Sequence, residues 1–350
     1  MTSAPFVSLP APARRAGRAV RDGLLRRGVL VERLSEPDRR FLTDLVDDTV
    51  PLPPGTADAL RADHPRLRSL EEAYAEADPA VRTHSRWSAD RLDPWLDLTR
   101  FRGDNAYIWH YREGRRISEL KYLVWAQDVR HRDHAGLLDR LGEDGAFGCW
   151  TYDFDGLPRL SRDLLDSVNE LLFLDSALGV LGGSAPRVLD IGAGYGRLAH
   201  RYVDACPDVT DYACTDAIAT STFVCEHYLA HRELAPTARA VPLTSVPSLE
   251  PGSFDLACNI HSWSECPLDA IQWWLDQLAR LDVPHLFLVP NEAEGFTSLE
   301  ADGARRDYLP VIEAAGYRLV RDEPVFADPA VRAALGVHDR HTLFTREGAR

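Results

Sequence analysis

Lysine is nearly missing from this chain of 350 residues: Lys121 is the only one, and the remainder of its 40 Lys and Arg residues are arginine. Positive charge as a whole is in deficit, since 54 Asp and Glu leave a formal net charge of -14. A surface of that sign repels a polyanion, so nucleic acid is not expected as a partner. No run comes near the ~18 consecutive apolar residues that a membrane span needs, so no membrane association is expected. The arginines between positions 14 and 27 are followed by neither an apolar stretch nor a small-residue cleavage site, which argues against a secretory leader. The six cysteines (Cys149, Cys206, Cys214, Cys225, Cys258, Cys266) include no Cys-x-x-Cys pair, and several sit in apolar runs where a free thiol packs as a small hydrophobe. A cytoplasmic protein with reduced thiols is the expectation. What is present, 45% hydrophobic and 27% charged residues, belongs to a globular chain with a packed core, and the length suits two unequal domains.

Residues 1–55 begin rich in Pro and Arg, pass through a helical pattern at Pro37 to Val46, and close on the breaker cluster Pro51-Leu52-Pro53-Pro54-Gly55; they are expected to form an N-terminal arm. Residues 56–184 are expected to make a mainly helical domain. Its stretch 101–160 is crowded with aromatics, among them Phe101, Tyr107, Trp109, Tyr111, Tyr122, Trp125, Phe147 and Trp150, which suit either the wall of a site for a polar ring compound or a small helical core. From Ser161, a candidate cap, apolar residues recur at three- and four-residue spacing up to Gly182-Gly183. Beyond Pro186 short apolar runs alternate with helical patterns. Strands are expected at 187–191, 211–215, 238–243, 254–260, 285–290, 317–325 and 341–346, with helices at 197–205, 220–232, 268–281 and 308–315. The alternation predicts an α/β fold over 185–350: a seven-stranded, mostly parallel, doubly wound sheet with an antiparallel pair at its edge.

The most informative segment is Val188-Leu189-Asp190-Ile191-Gly192-Ala193-Gly194-Tyr195-Gly196-Arg197, a buried strand running through a glycine loop into a helix. Glycines there let the chain turn sharply and let a ligand approach the backbone, while the helix start offers unpaired N–H groups. Arg197 stands where the dinucleotide fingerprint GxGxxG has its last glycine, which departs from a nicotinamide site. Asp216, at the end of the second strand, is placed to accept hydrogen bonds from ribose hydroxyls; it would equally cap the helix that follows.

The Asp-x-Gly-x-Gly-x-Gly loop resembles motif I of class I S-adenosylmethionine-dependent methyltransferases. Together with the patches Asp166 to Leu174, Phe254 to Pro267 and Val289 to Glu292, it makes residues 100–346 similar to the sugar O-methyltransferases of actinomycete natural-product clusters. The resemblance implies a Rossmann-like methyltransferase domain at 185–350, a helical domain that covers the acceptor, and S-adenosyl-L-methionine as cofactor, with Asp190, Gly192, Ala193, Gly194, Tyr195, Gly196, Asp216 and Asn259 around it. The acceptor it implies is a (deoxy)sugar hydroxyl on a small-molecule glycoside of the antibiotic type. A homodimer is the assembly it leaves to be tested.

Methyl transfer to oxygen needs alignment, exclusion of water and a destination for the hydroxyl proton. His261 falls just past the fourth strand of the sheet, at the edge where ligands of open α/β sheets bind, and its imidazole titrates near neutrality; it is the expected general base, although a loop histidine also serves simply to hold backbone. Glu265 is expected to orient it, or else to favour the start of the helix after Pro267. Trp263, Asn291 and Glu292 at the same edge are the expected acceptor contacts. No metal site is expected, because no dense cluster of oxygen ligands follows the fourth and fifth strands, and His131 with His134 lacks a third ligand. N-methylation of an aminosugar or another small molecule, a nicotinamide-dependent oxidoreductase, and a binding protein that has lost transfer remain as alternatives.

Overall fold

The computed structural model describes residues 20, 22–28, 35–82, 96–105, 107–291, 295–346 and 348. The chain divides into two compact units, residues 1–44 and 45–350. In the first, helix α1 (Glu36–Thr43) is capped by the Ser35 hydroxyl, which accepts the Asp38 N–H, and Pro stands in its first turn. It ends at Thr43 where the spacing alone extended it to Val46. Much of the expected arm lies outside the described residues.

The second unit is built on a seven-stranded sheet. Its parallel strands are β3 (Val188–Ile191), β4 (Tyr212–Asp216), β5 (Ala238–Pro242), β6 (Leu256–Ile260) and β7 (His285–Val289); β8 (Tyr317–Pro324) and β9 (Arg340–Arg346) add an antiparallel pair, in the order β5-β4-β3-β6-β7-β9-β8. A separate ribbon pairs β1 (Thr151–Tyr152) with β2 (Leu160–Ser161). β3 is buried throughout because helices cover both faces of a parallel sheet, and this is why its sequence is a short apolar run around one Asp. The order reverses at β3, with β4 on one side and β6 on the other. A crevice therefore opens beyond their carboxyl ends, the position at which ligands bind such sheets. This is a Rossmann-like, doubly wound architecture. All seven strands stand within two residues of where the alternation placed them.

The expected break at residue 185 is not a packing boundary, since residues 45–350 form one unit. Leu67, Leu70, Phe101 and Phe147 belong to the same buried cluster as Leu189, Ile191, Leu286 and Leu288 of the sheet. Helix α2 (Pro65–Ala75) supplies the first two, and α3 (Arg115–Arg132) buries Tyr122 and Trp125. Helix α4 (Arg162–Leu178) is so apolar along its length that most of it is buried. Gly179, in a left-handed conformation, stops it before the Gly182-Gly183 pair.

Candidate active site

Four strand ends converge on one cavity of about 300 Å³. β3 leads into the glycine loop, where Gly192, Gly194 and Gly196 all have positive φ (72, 56 and 88°) that L side chains rarely adopt. The Gly192 N–H donates to the Thr215 carbonyl at 2.8 Å, which fastens the loop to the end of β4. A Cβ on Gly192 would run into the Ser262 hydroxyl and come within 2.6 Å of its Cβ; one on Gly194 would sit 3.0 Å from the Tyr107 ring. Gly196 is different. It starts helix α5 (Arg197–Ala205) and lies against Cys225 and Leu229 of helix α6 (Ala219–His231), so it serves helix packing and does not line the cavity.

Asp190 and Asp216 both belong to the lining. Burial pushes the Asp190 carboxyl up to about 7, only partly offset by the Tyr212 hydroxyl that donates to it at 2.9 Å. Burial likewise raises Asp216 to about 6; its oxygens accept the Ile218 N–H at 2.9 Å and the Gly194 N–H at 3.1 Å. Asp216 thus does the turn-holding work that its sequence position allowed, and it still lines the cavity with oxygens able to accept more than one bond each.

Asn259 does not do what was expected of it. It is fully buried behind the loop, with Nδ2 donating to the Ile191 carbonyl (2.8 Å) and to Ser262 (2.5 Å), and Oδ1 accepting the Trp263 N–H (3.1 Å). These three bonds tie β3 to the turn after β6, and Asn259 is not among the residues that line the cavity. Tyr195 is among the lining residues, but its side chain is buried and its hydroxyl donates to the buried Asp163.

His261 follows β6 directly. Its N–H donates to the Val289 carbonyl at the end of β7 (2.8 Å), and its backbone is held at φ 66°, ψ −32°, a conformation rare for a residue with a Cβ. The expected pairing with Glu265 is absent: Glu265 accepts from the Asn291 side chain at 3.3 Å. Neither does Glu265 cap helix α7 (Leu268–Arg280), since Glu300 accepts the Leu268 N–H. The carboxylate beside His261 is Asp339, whose Oδ2 lies 3.3 Å from Nε2. Burial lowers the imidazole pKa, but Asp339 and, more distantly, Asp166 outweigh it and leave the group raised above its ordinary value. Asp339 sits just before β9, in a position that no local sequence signal ties to His261.

The other wall comes from the aromatic stretch. Tyr122, Trp125, Phe101 and Phe147 are core, whereas Tyr107 and Trp109 line the cavity. Tyr107 donates or accepts at Ser221 (3.1 Å), and Trp109 has the Arg162 guanidinium 3.5 Å over its ring. Arg162 in turn is held by Asp166 at 3.0 Å. Of the expected acceptor contacts, Trp263 and Asn291 are among the lining residues, and Glu292 lies outside the described residues. Among the described residues, Glu143, Cys149 and Asp163 bring ligand atoms within 4.8 Å of one another, but the buried Arg102 guanidinium pairs with both carboxylates (2.7 and 2.8 Å), so a cation already occupies that cluster.

No protein-family model matches the chain, and no curated protein matches it. Solved structures of similar fold include the 1,6-didemethyltoxoflavin-N1-methyltransferase of Burkholderia thailandensis with bound 1,6-didemethyltoxoflavin and S-adenosylhomocysteine, 20% identical over 50% of this chain and 75% of that one, TM-score 0.38. Another is the magnesium protoporphyrin IX methyltransferase of Synechocystis PCC 6803 with bound S-adenosylmethionine, 13% identical over 64% of this chain and 97% of that one, TM-score 0.38. The fold assignment rests on this chain's own strand order and glycine loop.

Proposed function

We propose that this chain is an S-adenosyl-L-methionine-dependent O-methyltransferase that acts on a (deoxy)sugar hydroxyl of a small-molecule glycoside, with His261 as the proton acceptor. The observation that carries the reading is the convergence of the glycine loop, the carboxylates of Asp190 and Asp216, and His261 on a single cavity at the switch point of the sheet.

The residues suit the cofactor. Gly192 and Gly194 bring the loop backbone into the lining where the chain turns into α5, Asp216 offers carboxylate oxygens for a ribose, and Asp190, buried and raised, gains from a nearby ammonium. The bound sulfonium supplies an electrophilic methyl group. What remains for the protein is to line up the acceptor oxygen, keep water out and take up the proton. Trp109 and Tyr107 wall the acceptor side with apolar surface, and a sugar ring presents C–H groups that pack well on such faces. A sugar hydroxyl is a weak acid, so proton removal accompanies displacement, and of the two lining histidines we assign it to His261, since burial holds His341 down to about 3. Asp339 beside His261 would also accommodate an amine, which makes N-methylation of an aminosugar the second reading.

Calorimetry and turnover test this together. S-adenosylhomocysteine should bind and NADH should not; the reverse overturns the cofactor. His261→Ala should lower kcat by ~10²–10⁴-fold on a glycoside acceptor while S-adenosylhomocysteine affinity stays the same. Unchanged kcat at saturating acceptor removes His261 as the base and selects the amine reading.

A further inference from the structure

We propose that Asp339 fixes the tautomer of His261, keeping one proton on Nε2 and presenting the lone pair of Nδ1 to the acceptor. The inference rests on the reading of His261 as the base and adds which nitrogen acts and what aims it. Nε2 is buried and turned toward Asp339 at 3.3 Å, within ion-pair reach but out of line for a well-formed hydrogen bond. No hydrogen bond among the described residues engages Nδ1, and the side chain keeps 31% of its surface exposed while lining the cavity.

Both partners are held from the main chain. The His261 N–H and C=O are engaged by Val289 and Ser264, and the Asp339 carbonyl accepts the Val325 N–H at 3.0 Å. The charged groups that face the imidazole are Asp339 and His341 from the β9 side, with Arg162, Asp166 and Glu170 from α4. Burial lowers His341 to about 3, so it stays neutral, and Arg162 is committed to Asp166; Asp339 is left as the nearest charge. As the acceptor oxygen takes the methyl and the sulfonium becomes a neutral thioether, the O–H proton passes to Nδ1. The imidazolium that results faces the Asp339 carboxylate through Nε2–H. Asp339 touches no reacting atom in this scheme and is a positioning residue.

Nitrogen-15 NMR of the histidine side chains reads this without an acceptor, the His261 signals being those lost in His261→Gln. In the unaltered protein the neutral ring should carry its proton on Nε2 and titrate above ~6.5. In Asp339→Ala the midpoint should fall by about one unit and the Nε2–H preference should weaken, with Asp339→Asn read in its place if the alanine variant unfolds. The acid limb of kcat should move to lower pH in step, with KM for the cofactor unchanged, and Asp339→Glu should restore part of both. An Nδ1–H tautomer in the unaltered protein, or His261 signals unmoved in a folded Asp339 variant, overturns the proposal. If the tautomer shifts as described while His261→Ala keeps full turnover, the reading of His261 as base fails and the assignment of the pair survives.

Discussion

At Gly192 two requirements meet at one atom. The residue holds φ at 72°, and a Cβ there would collide with Ser262, whose own position is fixed by Asn259. Gly192→Ala should therefore destabilise the protein by about 1–3 kcal/mol and weaken S-adenosylhomocysteine binding, because the loop must rearrange to relieve the contact. Adding Ser262→Gly removes the collision but leaves the backbone strain, so the double variant should recover only part of the loss in a urea melt. An alanine variant as stable as the parent would mean that the loop is not held in this conformation. The same turn carries His261 at positive φ, so the steric cost of the site is concentrated in a few residues between β3 and β6.

Elements were more legible than contacts. Strands β3, β4, β6 and β7 were readable because burial on both faces demands short apolar runs, and helix α5 begins where Arg197 follows the last loop glycine. Asp190, Asp216, His261 and the loop were readable for the same reason: strand ends announce themselves, and a sheet of this type places its site there. Asp339 was not, because its meeting with His261 depends on β9 lying beside β7, a pairing far apart along the chain. Asn259 was misread because an amide at a strand end satisfies backbone as readily as ligand, and only the packing decides. Ser161 shows how much one element owes to its first residue. Its hydroxyl accepts the Leu164 N–H at 3.1 Å and donates to the buried Glu143 at 2.5 Å. Ser161→Ala should cost about 1–2 kcal/mol by denaturant melt. Ser161→Asp, normally as good a cap, should be worse than alanine here because it sets a second carboxylate against Glu143; an aspartate variant more stable than the alanine one would refute that account.

For the molecule as a whole, the sheet and the segment before it share one interior. Phe101 packs on Tyr195 of the glycine loop at 5.3 Å, and the Tyr195 hydroxyl donates to Asp163 of α4. Arg102, fully buried, binds Asp163 at 2.8 Å and Glu143 at 2.7 Å, while Arg201 of α5 reaches the same Glu143 at 3.0 Å. Cutting the chain at 185 would strip the partners from Tyr195 and Arg201 and uncover the apolar surface that α2 and α4 bury. A buried charge without its partner costs about 3–5 kcal/mol, a large share of the ~5–15 kcal/mol that keeps a domain folded. Residues 185–350 expressed alone should then give weak near-ultraviolet dichroism and bind a hydrophobic dye, as a collapsed chain without fixed packing does. Residues 45–350 should give the sharp spectrum and cooperative melt of a folded unit. Should the shorter piece melt cooperatively and bind S-adenosylhomocysteine as tightly as the full chain, the acceptor-side segment would be a separate cover, and the shared core would not be what holds the glycine loop in place.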